Sequence, residues 1–409
     1  MANTTALLVT PHYACKDTSG GGQRTQLLLA SLLRLANITR VDVLVLDQQG
    51  RSAIEFFAAD PRLGRVATVK IKERGQLGFW KLFRSFKPRL VDLLATTFGR
   101  RSIGYSSRML AESLPFNLND YDVVVGRYLR PSAIAGCFDS RTAIPVYLDV
   151  DDRDDMLYSS RLNNPDLPFY HRVILRWHLR QAESLQKKLL PQCRHCWLAS
   201  QQDLNTLPTH NESVLPNIPY SIDFLPSCLP PVKPDNYNLL FVGSFGHRIN
   251  REGIEWFLTH CWSELLDRVP NVCLRIVGSG GWENIDRRFK GLKNVDIVGF
   301  CESLEEEYAK CSMTIVPLFE GGGTKIKVLE SLLYGRLVFG SAHAFWGYPE
   351  LQAICSDAIA SSAENFASDL AKVLIDEVKI NRTVEMARNE VITRYSFSAF
   401  SQIVAEAFE

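Results

Sequence analysis

The segment FEGGGTKIKVLESLLYG, residues 319–335, gathers residue types suited to gripping a diphosphate and a ribose, directly after the strand-like run MTIVPL. Three successive glycines, Gly321, Gly322 and Gly323, let backbone N–H groups approach a ligand that any side chain would block. The following helix presents its positive end to the same point. Lys325 and Lys327 add charge there, an unfavourable place for lysine unless an anion compensates. Ile326, Leu329 and Leu333 share one helical face, which leaves Glu330 off the apolar stripe with a carboxylate able to accept two vicinal hydroxyls. Gly335 then ends the helix as a left-handed cap. The bland alternative is a glycine-rich turn with a solvated glutamate and two surface lysines.

Two more clusters lie in the first half. HYACKDTSGGGQRTQ is a glycine-rich loop opening a helix, with Gly20, Gly21, Gly22 and Arg24 at its core, although such turns are common after a first strand. YLDVDDRDD, residues 147–155, packs five aspartates at the carboxyl end of a strand, and such a run is stable only if solvated, partly protonated or matched by cations. Asp149 and Asp151 form a DxD that could hold a divalent ion, and a strand ending in DxD also suits a phosphohydrolase in which Asp149 is the nucleophile. A third reading has Asp151 and Asp152 facing a cleft as polar positioning residues, and a fourth is helix capping. Arg127 and Tyr128, ending YDVVVGRY, are further cleft candidates.

The elements that must position these residues alternate. ALLVTP, VDVLVLD, VATVKIK, YDVVVGRY and IPVYLDV read as strands in the first half, closed by HCWLAS and SVLPN, with QRTQLLLASLLRLA and HRVILRWHLRQAESLQKKLL as helices. LPNIPYSIDFLPSCLPPVKPDN then holds six prolines and sustains neither ladder nor helix. Beyond it, NLLFVGS, VCLRIVG, VDIVGF, MTIVPL and RLVFGS alternate with helices such as GIEWFLTHCWSELLDR and SLEEEYAKC. The pattern predicts an α/β chain of two Rossmann-like doubly wound lobes facing a cleft. The expected division is a first lobe over 1–217, a linker over 218–236, a second lobe over 237–395 and a last helix over 396–409 that could cross back to the first lobe.

The 409 residues suit two domains, and 46 Lys and Arg against 45 Asp and Glu give no overall pull toward nucleic acid. No apolar run reaches the ~20 residues of a membrane span, and the N-terminus reads as a buried strand with no secretion signal, so a cytoplasmic protein is expected. Ten scattered cysteines suit reduced, buried thiols, and Cys193 with Cys196, lacking a second CxxC, is expected to be structural. Between 70 and 108, ten basic residues face two acidic ones and interleave with Phe79, Trp80, Phe83 and Phe86. That stretch is either a basic surface for peripheral contact with anionic headgroups or a core with solvated charges.

From NLLFVGSFGHRINREGIEWFLTHCW through LRIVGSGG and VDIVGF to VPLFEGGGTKIKVLESLLYGRLVFGS, the second half resembles the family 4-like retaining glycosyltransferases of the GT-B fold (glycosyl transferases group 1), with weaker matches in the first half. The resemblance implies a nucleoside diphosphate sugar donor held in the second lobe. Glu330 would take the ribose; Gly322, Gly323, Thr324, Lys325 and Lys327 the diphosphate; Arg248 the leaving phosphate; and Gly299 and Phe300 the edge of the base. In the first lobe it implies Gly21, Gly22 and Arg24 near the donor, with Asp151 and Asp152 positioning a glycan or lipid-linked acceptor. Arg248, Lys325, Asp151 and Asp152 are then the expected catalytic set, with no metal and no other cofactor. Where many members carry a first glutamate this chain has Gly322, with Glu320 nearby; the lysine usual after the arginine is missing, with Arg251 as a substitute. The remaining alternatives are a magnesium-dependent phosphohydrolase built on Asp149–Asp155 and a non-catalytic nucleotide-sugar or glycan binder.

Overall fold

The computed structural model describes residues 4–16, 20–47, 49–57, 60–71, 114–140, 144–151, 153–162, 167–219, 226–230, 237–285, 287–289, 291–320 and 324–409. The expected basic surface at 70–108 therefore lies almost wholly outside the described residues, as does most of the proline-rich linker. The chain divides into two compact units, and its last residues, Ile403–Glu409, belong to the first.

In the first unit, β1 (Thr4–Pro11), β2 (Ile38–Asp47), β3 (Leu63–Lys70), β4 (Val123–Arg127), β5 (Val146–Val150), β6 (His195–Leu198) and β7 (Glu212–Val214) form one sheet in the order β3-β2-β1-β4-β5-β6-β7. Every pairing is parallel. The near-continuous Val, Leu and Ile runs of β1, β2 and β4 are what a sheet covered on both faces requires, and these strands are buried along almost their whole length. Among the described residues four helices flank them: α1 (Gly20–Arg34), α2 (Leu129–Ile134), α3 (Asp154–Leu162) and α4 (Phe169–Leu189). The glycines expected to form a loop are instead the first turn of α1. A Cβ at Gly22 would overlap the carbonyl of Lys16, so the tight entry into that turn excludes any larger residue. Cys193 and Cys196 are buried thiols.

The second unit repeats the scheme. Its strands β8 (Tyr237–Val242), β9 (Val272–Val277), β10 (Val295–Gly299), β11 (Met313–Val316) and β12 (Leu337–Gly340) run in the order β10-β9-β8-β11-β12, again all parallel. The helices are α5 (Arg248–His260), α6 (Trp262–Arg268), α7 (Leu304–Lys310), α8 (Ile326–Leu333), α9 (Pro349–Ile354), α10 (Phe366–Leu374) and α11 (Glu377–Arg394), and α12 (Phe397–Glu406) leads to the terminus. GIEWFLTHCWSELLDR, expected as one helix, is broken at Cys261 into α5 and α6, which turns Trp262 inward to donate its indole N–H to the carbonyl of Lys293 at 3.1 Å.

In both sheets the chain starts in the middle, steps to one edge and returns to the other side. Each sheet thus has one switch point, between β1 and β4 and between β8 and β11, where loops diverge and leave a crevice.

Beside the second switch point the β8 and β9 loops press together. Gly278 sits at φ +147°, and a Cβ there would overlap the carbonyl of Gly243, whose N–H donates to Val277 O at 2.9 Å. Gly278→Ala is expected to destabilise the chain by more than the roughly 1–2 kcal/mol of a left-handed non-glycine residue alone. Gly291→Ala, also at positive φ but with nothing near its Cβ, should stay within that range. Urea unfolding of the two variants checks the ordering.

Candidate functional site

The crevice of the second unit collects cations. α5 opens at Arg248 just past β8, and α8 opens at Ile326 past β11 with Lys325 as its N-cap. Lys327, in the first turn of α8, lies against the Phe241 ring, its ammonium 4.4 Å from the centroid, and donates to Asn250 Oδ1 at 2.8 Å. Burial, with the Lys325 charge adding to it and Glu330 opposing, lowers the Lys327 pKa to about 7. Burial also lowers the pKa of His247, and the charges of Lys327, Lys325 and Arg248 push the same way. Three cations thus act on one imidazole at the end of the sheet.

One turn beyond Lys327, Glu330 accepts the Tyr308 hydroxyl at 3.0 Å, and Tyr308 stacks on Tyr334 with ring centroids 4.5 Å apart. Burial raises the Glu330 pKa, against the pull of Tyr308 and Lys327. One carboxylate oxygen is therefore positioned by tyrosine while the side chain stays only partly buried. The apolar face of α8 is Val328, Leu329, Leu332 and Leu333, with Ile326 only half-buried, so the core stripe is rotated from the one expected. Gly335 closes the helix at φ +77°.

Arg248 is half-exposed and pairs with Glu252 and, at 2.6 Å, with Glu320. Gly299 has φ +73°, and Phe300 after it is 72% exposed at the carboxyl end of β10. Thr324 is half-buried beside Gly347. Gly322 and Gly323 lie outside the described residues.

The first unit's switch point is built on an ion-pair cluster. Arg24 of α1 grips Asp149 of β5 with Nε and Nη2, the shortest contact being 2.7 Å. Arg127 of β4 pairs with the same carboxylate and reaches Asp151 Oδ2 at 3.4 Å and Gly21 O at 3.0 Å. Burial alone would raise the Asp149 pKa, but the two guanidiniums outweigh it and hold the pKa below the ordinary carboxylate value. Arg24, expected to face a donor, is a fully buried partner of Asp149 instead. Asp151 is also buried and accepts the Tyr128 hydroxyl at 3.4 Å. Asp154 pairs with Arg130, and Asp155 with Arg153; Asp152 lies outside the described residues. The described aspartates of the run are thus matched by arginine. Both oxygens of Asp149 are engaged by guanidiniums. Among the described residues no group of three His, Cys, Asp or Glu side chains is placed to hold a metal ion.

Above this cluster lies a cavity of about 530 Å³, with His12 and Tyr13 after β1, Asp47 at the end of β2, Tyr128 after β4, and Tyr158 and Gln186 from α3 and α4 among its walls. Tyr128 has φ +65°, outside the ordinary range of a bulky residue. Its N–H donates to Asp149 O at 2.9 Å and its carbonyl accepts Ser132 Oγ at 2.8 Å, which fixes the ring at the floor of the cavity.

Sequence reasoning missed Asn250, Tyr308 and His247. Asn250 and Tyr308 reach the site only through the fold, 77 and 22 residues from their partners. His247, beside Arg248, was readable as the residue that ends the β8 loop.

Solved structures with the same fold cover nearly the whole chain. Sucrose-phosphate synthase from Thermosynechococcus elongatus matches with a TM-score of 0.64 at 13% identity, over 99% of this chain and 98% of that one. HepE from Anabaena, in complex with UDP and glucose, matches at 0.58 and 13%, over 99% of each chain. WaaG, a glycosyltransferase involved in lipopolysaccharide biosynthesis, matches at 0.59 and 14%, over 98% of each. The chain has the GT-B fold. Residues 236–376 match the family model "Glycosyl transferases group 1", so the second unit carries a domain of that family. Among the curated proteins none matches the chain.

Two expectations follow. Asp149→Asn strands two buried guanidiniums and should cost about 3–5 kcal/mol of stability, read as a large drop in melting temperature, whereas Glu330→Ala should melt close to the wild type. The unfolded chain protonates Lys327 up to about pH 10.5 and the folded chain only up to about 7, so this group makes stability rise with pH across that window. The stability gap between wild type and Lys327→Met should therefore move in favour of the wild type between pH 7 and 10; a constant gap in melts across that range would show the ammonium is not strained.

Proposed function

We propose that this chain is a glycosyltransferase that moves a hexose-type unit from a nucleoside diphosphate sugar to a hydroxyl of a glycan or lipid-linked acceptor, with retention and without a metal, in the synthesis of a cell-surface polysaccharide or glycoconjugate in the cytoplasm. The observation that carries this reading is Lys327, bonded to Asn250 where α5 opens with Arg248 and α8 opens behind Lys325, one helical turn before the tyrosine-held carboxylate of Glu330. A partly desolvated ammonium bonded to a neutral amide is a poor resting state for a lysine. A diphosphate would restore its charge, and a ribose diol would meet the free side of Glu330.

In this reading departure of the nucleoside diphosphate limits the rate, and the barrier falls because fixed positive groups meet the charge that develops on the leaving phosphate. Arg248 must loosen one of its two glutamate pairs to take part. The aromatic-walled cavity of the first unit takes the acceptor: the exposed Tyr13 offers a ring face to a sugar, and Asp47, His12 and Gln186 offer polar atoms to its hydroxyls. Asp151, paired with Arg127 and Tyr128, holds that floor rather than taking a proton.

The test is a thermal-shift panel of uridine, guanosine and adenosine diphosphate sugars, with and without EDTA. One donor is expected to raise the melting temperature with or without EDTA, by the roughly 2.7 kcal/mol that ligand at a hundredfold its Kd supplies, and Glu330→Ala should remove most of the shift. No shift with any donor, or the same shift in Glu330→Ala, defeats the donor assignment. With the right acceptor, Arg248→Ala and Lys325→Ala should each lower kcat about 10²–10³-fold.

A further inference from the structure

α4 carries two different faces. His178, Ala182, Gln186 and Leu189 are its buried residues. At 100° per residue the opposite side carries Phe169, Val173 and Trp177 in one row, with Arg176, Arg180 and Lys187 beside them. Phe169 is 78% exposed, Val173 50% and Trp177 40%, and Tyr170 on the flank is 48% exposed. Among the described residues, these side chains lie on the side of α4 opposite its buried residues. Across its 21 residues the helix has five Lys and Arg against the single acid Glu183.

We propose that this outward face of α4 docks the protein on an anionic lipid bilayer. The charge selects the partner: a row of arginines and lysines with one acid suits a negatively charged surface. Phe, Tyr and Trp supply what a headgroup boundary takes up, rings that are apolar in body and, in Tyr and Trp, polar at one edge. Arginine completes the fit, its aliphatic stem lying along the apolar layer while the guanidinium stays among phosphates. Among the described residues no helix is long and apolar enough to cross a membrane, so this contact would be peripheral.

The placement also serves the cavity. Ala182, Leu185 and Gln186, on the inward side of α4, line it, so a bilayer lying against the outer face would set the cavity one helix away from the headgroups. An acceptor anchored in that bilayer would then reach the cavity without leaving the membrane. That last step rests on the proposed function; the docking itself does not.

The experiment is co-sedimentation of the full chain with vesicles of phosphatidylcholine alone and of phosphatidylcholine containing a third of phosphatidylglycerol, at low and high salt. Binding is expected to the anionic vesicles only and to weaken with salt. Brominated lipid should quench tryptophan fluorescence in the wild type and much less in Trp177→Phe. The double variants Phe169→Ala/Trp177→Ala and Arg176→Glu/Arg180→Glu should bind at least about tenfold more weakly while keeping the wild-type melting temperature. Glu330→Ala should bind vesicles as the wild type does, which separates this inference from the donor assignment. It is overturned if the wild type ignores anionic vesicles, or if both double variants bind unchanged. It is equally overturned if the chain sediments as a dimer that Arg176→Glu/Arg180→Glu dissolves, since the face would then belong to a second copy.

Discussion

The carboxylate of Asp149 is the fixed point of the first unit. Arg24 comes from the helix after β1, Arg127 from the end of β4, and Asp149 from β5, so one buried cluster ties three elements together at the switch point of the sheet. Removing two guanidiniums and a carboxylate from water is costly, and the cluster persists only because each charge meets its opposite and Gly21 O, Thr25 Oγ1 and the Tyr128 hydroxyl satisfy remaining N–H groups of Arg127. Its geometry dictates what lies above it. Tyr128, one residue beyond Arg127, is drawn back to Asp149 through its own N–H and held at positive φ, and its ring becomes part of the cavity lining.

The second unit solves the same topological problem with glycine in place of ion pairs. Gly243 and Gly278 let the β8 and β9 loops touch through their backbones, and Trp282 Nε1 donates to Gly243 O at 2.7 Å. A Cβ at Gly243 would also press on Asn250 and on the Lys327 ammonium, 2.7 and 2.9 Å away. The small loop is therefore what lets Lys327 settle between Phe241 and Asn250. Close backbone packing there leaves a cation in place bonded to the Asn250 amide.

Much of this was legible in the sequence. Parallel sheets covered on both faces produce the unbroken apolar runs that marked the strands, and the order of runs around GGGTKIKVLES was specific enough to point to a family. What the sequence left open was the pairing of charge. A stretch of aspartates looks like a metal site until its partners are known, and Arg24 and Arg127 stand 125 and 22 residues from Asp149. The glycines at 20–22 look like a ligand loop in sequence and form a helical turn in the fold, because the requirement they meet is the nearness of the Lys16 backbone. The face of α4 was read only as a helix, since periodicity cannot tell which of two apolar stripes turns inward.

The contrast between the switch points bears on which unit takes the charged substrate. At the first, Arg24, Arg127, Arg130, Arg153 and Arg51 are each within ion-pair distance of an aspartate. A dianion arriving there would have to break pairs already formed, those of Arg24 and Arg127 in a buried setting, losing about as much as it gains. Ring faces and hydrogen-bonding groups remain for a neutral, hydroxyl-rich ligand. At the second, Lys327 is bonded to an amide, its pKa is pulled down to about 7, and burial together with the charges of its neighbours depresses His247 as well. An anion there would meet preorganised cations and relieve their repulsion in the same step. Two sheets of the same topology thus differ at their switch points: the arginines of the first each meet an aspartate, while Lys327 at the second is bonded to an amide.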